Sequence, residues 1–172
     1  MEEGQVLFLP PLWFHQVEAL DDSISLNVWS FSETLKQQDE VFLQPVPFQE
    51  TWTQQQLYDA AKVYVTMLVE HYYGPGSTNE FVKTILQTRF KSLDAKSLKK
   101  FGGPKDQKYC SPNINETTLR GEMKRGILNL RKFLDPLPKE LRAVTIEDYI
   151  QDLAHYVAGL EKLPGYLEAC FS

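Results

Sequence analysis

The hydrophobic pattern of this chain changes period once, and the change divides it into two kinds of structure. Near the start, Val6-Leu7-Phe8-Leu9 forms a short apolar run stopped by Pro10-Pro11. A second run over residues 12–20 is rich in aromatics and valine, and Asp21-Asp22 supplies a turn. Residues 23–30 then read Ser-Ile-Ser-Leu-Asn-Val-Trp-Ser, a strict alternation that is the signature of a strand. The runs on either side of the acidic turn predict an antiparallel hairpin. Two or three strands cannot form a stable sheet alone, and their edges would stay open. They must therefore pack on the rest of the chain or belong to a larger barrel.

Residues 31–50 read as irregular and close with Pro45-Val46-Pro47. Beyond them the period becomes helical. Leu57, Ala60, Ala61, Tyr64, Val65, Leu68, Val69 and Tyr72 keep one face over four turns. Thr53 and Gln56 form a capping box at the start, and Gly74-Pro75-Gly76 ends the helix. Ser77 with Glu80 predicts the cap of a second helix carrying Phe81, Ile85 and Leu86. Residues 99–112, with Gly102-Gly103-Pro104 and several lysines, read as an exposed loop. A third helix runs from about Asn115, with Leu119, Met123, Ile127, Leu130 and Leu134 on one face, and Asp135-Pro136-Leu137-Pro138 breaks it. A fourth is expected near Thr145, capped at Asp148, burying Tyr149, Ile150, Leu153, Val157 and Leu160. The fold class is thus α+β: residues 1–50 form a β-piece and residues 51–172 a helical region.

Composition supports a folded domain, with 42% hydrophobic and 12% aromatic residues in 172. No apolar run approaches the roughly 18 residues that span a bilayer. The acidic start, Met-Glu-Glu-Gly, is unlike a signal peptide. Cys110 and Cys170 lie far apart in no metal spacing, and read as reduced thiols of an intracellular protein, cytoplasmic or nuclear. Asn115-Glu116-Thr117 matches a glycosylation sequon but reads as a helix start. Charge is uneven. Residues 83–142 hold fifteen Lys and Arg against six acids, a net +9, and the remainder holds three against seventeen, a net −14. Such a split favours an anionic partner for the basic stretch, or attraction between the two parts, or a solvated face. Phe90, Phe101 and Tyr109 lie among the bases as candidate stacking groups for a nucleic acid.

Strand alternation also groups candidate site residues. Trp13, His15 and Val17 share one face of the first strand, and Ser25, Asn27 and Trp29 one face of the second. The opposite face of the second strand, Ile24, Leu26 and Val28, is aliphatic and needs packing. Trp29 does not suit a solvent face and Asn27 does not suit a plain core, whereas an enclosed polar cavity suits both. A lone histidine in such a setting is more often a hydrogen-bonded core residue than a ligand, because imidazole needs companion ligands to hold a metal.

The segment from Gly4 through Pro10-Pro11-Leu12-Trp13-Phe14-His15-Gln16-Val17, followed by Ser25-Leu26-Asn27-Val28-Trp29, resembles the end of a JmjC domain of the cupin-like hydroxylase type. The resemblance covers about thirty residues. It is closest in flavour to the branch containing the tRNA wybutosine-synthesising hydroxylase, as is, more faintly, the segment from Pro136-Leu137-Pro138 to Tyr149-Ile150-Gln151-Asp152. The resemblance implies the closing strands of a double-stranded β-helix that uses Fe(II) and 2-oxoglutarate. It makes His15 the last ligand of a triad of two histidines and a carboxylate, and places Asn27 and Trp29 beside the cosubstrate. Trp13 and Ser25 would then line the cavity wall. C-terminal helices in this branch imply a homodimer.

The family's first two iron ligands are written His-x-Asp or His-x-Glu, and no such pair occurs here. His15, His71 and His155 are followed two residues on by Val17, Tyr73 and Val157. The chain therefore reads as the C-terminal portion of an Fe(II)/2-oxoglutarate hydroxylase that begins inside the barrel, with no iron or cosubstrate binding expected of it alone. Two readings of another class stand beside this: a non-catalytic helical interaction or dimerisation module, and the tRNA-binding part of a tRNA-modifying hydroxylase acting through residues 83–142. The substrate, whether a protein side chain, a tRNA base or a small molecule, is left open by the residues.

Overall fold

The computed structural model describes residues 2–10, 13, 15–30, 32–91, 109–110 and 115–171. Among these residues all regular structure is helical: α1 (Glu33–Phe42), α2 (Gln54–Tyr73), α3 (Thr78–Arg89), α4 (Glu116–Leu134), α5 (Lys139–Ala158) and α6 (Leu163–Phe171), with a 3-10 turn at Leu160–Lys162 before α6. The expected α+β class is overturned. No strand forms among the described residues, so the hairpin and β-helix strands expected over residues 1–30 are not found in the described part of that segment. A bend does occur at residues 20–22, where the acidic turn was expected. The physical reason lies in the missing ladder. An isolated pair of strands leaves half its backbone groups and one apolar face without partners. Ile24 is 101% exposed, Leu26 91% and Val28 87%, so the face that needs packing receives none.

The helices form for reasons written at their ends. Ser32 caps α1, its hydroxyl accepting from the Leu35 amide at 3.1 Å, and Glu33 sits favourably against the positive end of the helix. This helix replaces the first half of the irregular stretch expected over residues 31–50; residues 43–50 are irregular, as expected. The Thr53–Gln56 capping box is present at the start of α2, and Gly74 ends that helix with φ +96°. Ser77 does not cap α3; its hydroxyl donates to the Gly74 carbonyl at 2.7 Å. Asn115 caps α4, accepting from the Thr118 amide at 3.3 Å, as the helix-start reading of the sequon anticipated. Pro138 lets α5 begin at Lys139, earlier than the expected start near Thr145. Leu160, expected in the core, lies in the 3-10 turn and is exposed. The loop expected over residues 99–112 lies outside the described residues apart from Tyr109 and Cys110.

The core gathers around α2, which packs against α3, α4 and α5, while α1 packs on α4 and α5 and α6 on α3 and α5. Tyr64, Leu68, Ile85, Met123, Leu130, Ile146, Ile150 and Leu167 are fully buried within it. The end of α3 is fixed to α5 by Arg89, whose guanidinium donates to Glu147 at 2.9 Å and to Asp148. The helix α6 is apolar almost all round and is buried accordingly, from Leu163 to Phe171.

Cys110 and Cys170, read from their spacing as separate reduced thiols, are joined in a disulfide across 60 residues. The reason is tertiary. Tyr109 is buried against Tyr58 and Tyr166, with ring centroids 5.4 and 6.1 Å away, and Gln55 donates to its carbonyl at 2.8 Å. That anchors Cys110 beside α6. Closing a loop of this size removes unfolded-state entropy equivalent to about 4 kcal/mol. Disulfides persist in oxidising compartments, so the inference of an intracellular setting loses its premise. No helix among the described residues is long and apolar enough to cross a membrane.

Two glycines on α4 provide a matched test of this packing. A Cβ on Gly126 would lie 2.8 Å from the half-buried Pro47 Cγ and 3.2 Å from Cε2 of the core residue Tyr64, whereas one on Gly121 meets nothing within 4 Å. Gly126→Ala is expected to lower the urea midpoint, a net loss of about 1–3 kcal/mol. Gly121→Ala is expected to raise it by up to about 1 kcal/mol through helix propensity alone.

Candidate functional site

The residues that sequence alternation grouped around a cavity are not brought together. Trp13, His15, Ser25, Asn27 and Trp29 are all exposed, Trp13 at 66% and Trp29 at 86%. Among the described residues no hydrogen bond or ring contact joins His15 to Ser25, Asn27 or Trp29. Phe14, the second member of the aromatic pair, lies outside the described residues. One local contact does exist. His15 Nδ1 is 3.0 Å from the backbone oxygen of Trp13. A carbonyl only accepts, so Nδ1 is the donor in this contact and Nε2 makes no bond to it. Metal-binding histidines are oriented by this kind of bond.

A family-type iron site needs two more protein donors, and the structure does not supply them. Among the described residues no group of three or more His, Cys, Asp or Glu side chains is placed to hold a metal ion. His71 on α2 is exposed and stacks edge-on against Tyr72, with centroids 4.8 Å apart. His155 lies in the last turn of α5, where its carbonyl accepts from the Gly159 amide. Asn27 and Trp29, with no enclosed wall around them, do not form a pocket for 2-oxoglutarate either. The residues present do not fit the iron or its cosubstrate, and no chemical step follows from them.

The helical part holds two grooves that depend on how its helices pack. One groove of about 320 Å³ lies between α2 and α4, with Arg120, Lys124 and Arg131 along it and Met67, Ile127 and Leu128 beneath. A second, of about 600 Å³, lies between the start of α2 and the end of α5, near Gln54, Tyr58, Tyr156 and Lys162. Of the aromatics expected as stacking groups, Tyr109 is committed to the core at 3% exposure and Phe90 packs against it. Phe101 lies outside the described residues.

Beside the first groove, Tyr72 donates to Asp135 at 2.6 Å and Arg131 donates to the same carboxylate at 3.1 Å. Burial and then this bond push the Tyr72 hydroxyl above its ordinary value. Burial would raise Asp135, but the Tyr72 bond together with Arg131 outweighs it and holds the carboxyl below its usual range.

Residues 1–35 match the family described as the cupin-like domain, and the match covers roughly a fifth of the 172 residues. It supports the cupin-like character of that segment and does not extend to the wybutosine-synthesising branch. No curated protein and no solved structure matches the chain.

The ligand set can be checked directly. Anaerobic calorimetric titration of Fe(II) into this chain is expected to show no saturable one-to-one binding, since a single imidazole does not retain the ion. One-to-one binding abolished by His15→Ala would show that other ligands gather around it.

Proposed function

We propose that residues 1–35 are the closing segment of a cupin-like domain of the JmjC hydroxylase type, carried on a helical unit that folds without it. In this reading His15 is the last metal ligand, presenting Nε2, and Asn27 and Trp29 stand beside the cosubstrate. The observation that carries it is a coincidence of boundaries. The cupin-like match ends at residue 35, where α1 has just begun at Glu33, and the large apolar side chains described before α1 stand exposed.

Physical chemistry makes that coincidence informative. Val6, Phe8, Val17, Leu20, Ile24, Leu26, Val28 and Trp29 are each more than three-quarters exposed. At about 25 cal/mol per Å², leaving such side chains in water forgoes roughly 1.5–3 kcal/mol for each large one. A period-two pattern with one aliphatic face is suited to a sheet whose other strands cover that face. Hydroxylation of the family type uses Fe(II) and 2-oxoglutarate and needs a His-x-Asp or His-x-Glu pair that these residues lack. No catalytic step is therefore assigned to them.

Reading the coding sequence 5′ of the Met1 codon tests the assignment. An in-frame His-x-Asp or His-x-Glu pair within an alternating strand pattern is expected. An in-frame stop codon, or a sequence without strands or such a pair, would contradict it. In a protein carrying the pair, His15→Ala is expected to lower iron affinity by about 100-fold or more.

A further inference from the structure

We infer that the groove between α2 and α4 is a binding site for a small organic oxyanion, a phosphate or carboxylate attached to an apolar body. This inference is independent of the cupin-like reading, because it uses none of residues 1–35. Arg120, Lys124 and Arg131 follow one another at four and seven residues along α4, which places them on one face. Over that face the helix rises by about 16 Å. Ile127 and Leu128 lie between the outer cations, and Met67 of α2 completes an apolar floor. Leu128 is 48% exposed on it.

The donors along this groove exceed the acceptors. Its only carboxylate, Glu70, is already engaged at both oxygens: Oε1 accepts from the Gly76 amide at 3.0 Å, and Oε2 lies 3.9 Å from Arg120. Arg120 is held further by Glu116 at 3.4 Å. Lys124 has no ion pair among the described residues, although its ammonium offers three donors. Arg131 spends one nitrogen on Asp135, while its Nε is buried without a hydrogen-bond partner. Two cations thus retain donor capacity beside an apolar floor, and the one carboxylate that lines the groove is already engaged. An oxyanion is the chemistry that supplies acceptors to such donors, and charge-assisted bonds of this type are the stronger ones. The floor calls for a hydrocarbon or aromatic body on the same molecule. A volume of about 320 Å³ admits a small ligand and not a large one.

The test is a titration of the intact chain, followed by amide chemical shifts, with four probes: phenyl phosphate, benzoate, inorganic phosphate and benzyl alcohol. Saturable shifts confined to α2 and α4 around the groove are expected with phenyl phosphate or benzoate, and the tighter of the two identifies the head group. Inorganic phosphate and benzyl alcohol are each expected to bind more weakly, since each lacks one half of the ligand. Lys124→Ala is expected to weaken binding by about tenfold. Lys132→Ala, an exposed cation outside the groove, is expected to leave it unchanged. Circular dichroism of both variants keeps a folding defect from passing as loss of the site. Shifts that do not saturate, or equal weakening by Lys124→Ala and Lys132→Ala, would reduce the site to diffuse surface charge and overturn the inference.

Discussion

Burial of α2 is the constraint on which the rest of the structure depends. Eight of its twenty residues are buried, Tyr58, Ala60, Ala61, Val63, Tyr64, Val65, Leu68 and Val69, and they look toward α3, α4, α5 and, through Tyr58, α6. Small residues at 60 and 61 let neighbours approach; tyrosines at 58 and 64 reach across the interior. Tyr64 and Tyr149 meet at their hydroxyls, 3.4 Å apart, and burial raises the pKa of both. Tyr58 extends the same helix toward Tyr109 and Tyr166, and the Tyr166 hydroxyl donates to the Tyr58 carbonyl at 3.0 Å. The disulfide closes over that cluster. Position 126, the close approach of α4 to Pro47 and Tyr64, follows from the same burial.

The period-two segment meets the opposite condition. Its side chains alternate correctly for a sheet, but alternation specifies only which face of a strand is apolar. A strand becomes stable when another backbone pairs with it and another layer covers that face. Within these residues neither is provided, and the helices are already satisfied by one another. This explains how one chain combines a well-packed helical unit with a run of exposed Val, Ile, Leu and Trp. It also explains why the histidine and asparagine that the cupin-like pattern would bring to one cavity stand apart.

Much of the helical unit was legible because its signals are local. The Thr53–Gln56 box and the apolar face of α4 sit within a few residues of the groups they satisfy. What was not legible is tertiary. The helix α1 buries only Val41 and its other apolar residues are Leu35 and Phe42 alone, too few to trace an apolar stripe along the sequence. The helix α6 is apolar on every side and carries Pro164 and Gly165, so it presents no stripe and two apparent breakers. The bond between Cys110 and Cys170 depends on where Tyr109 packs, which spacing along the chain does not encode. In the groove, Arg120, Lys124 and Arg131 were visible as basic residues, but the contribution of Met67 and Glu70 required the packing of α2 on α4. The strand expectation failed for the converse reason: its local pattern was clear, and the partners it presupposes are not among the described residues.

The helices between Glu33 and Phe171 fold as a core of their own, while the described residues among 2–30 form no sheet. Amide hydrogen exchange resolved by residue tests it most directly. Amides in the middle of α2, α4 and α5 are expected to exchange only through global opening, and those of residues 6–9 and 23–29 at close to the rate of an unstructured peptide. Protection that alternates along residues 23–29, as a paired strand would show, would contradict the account.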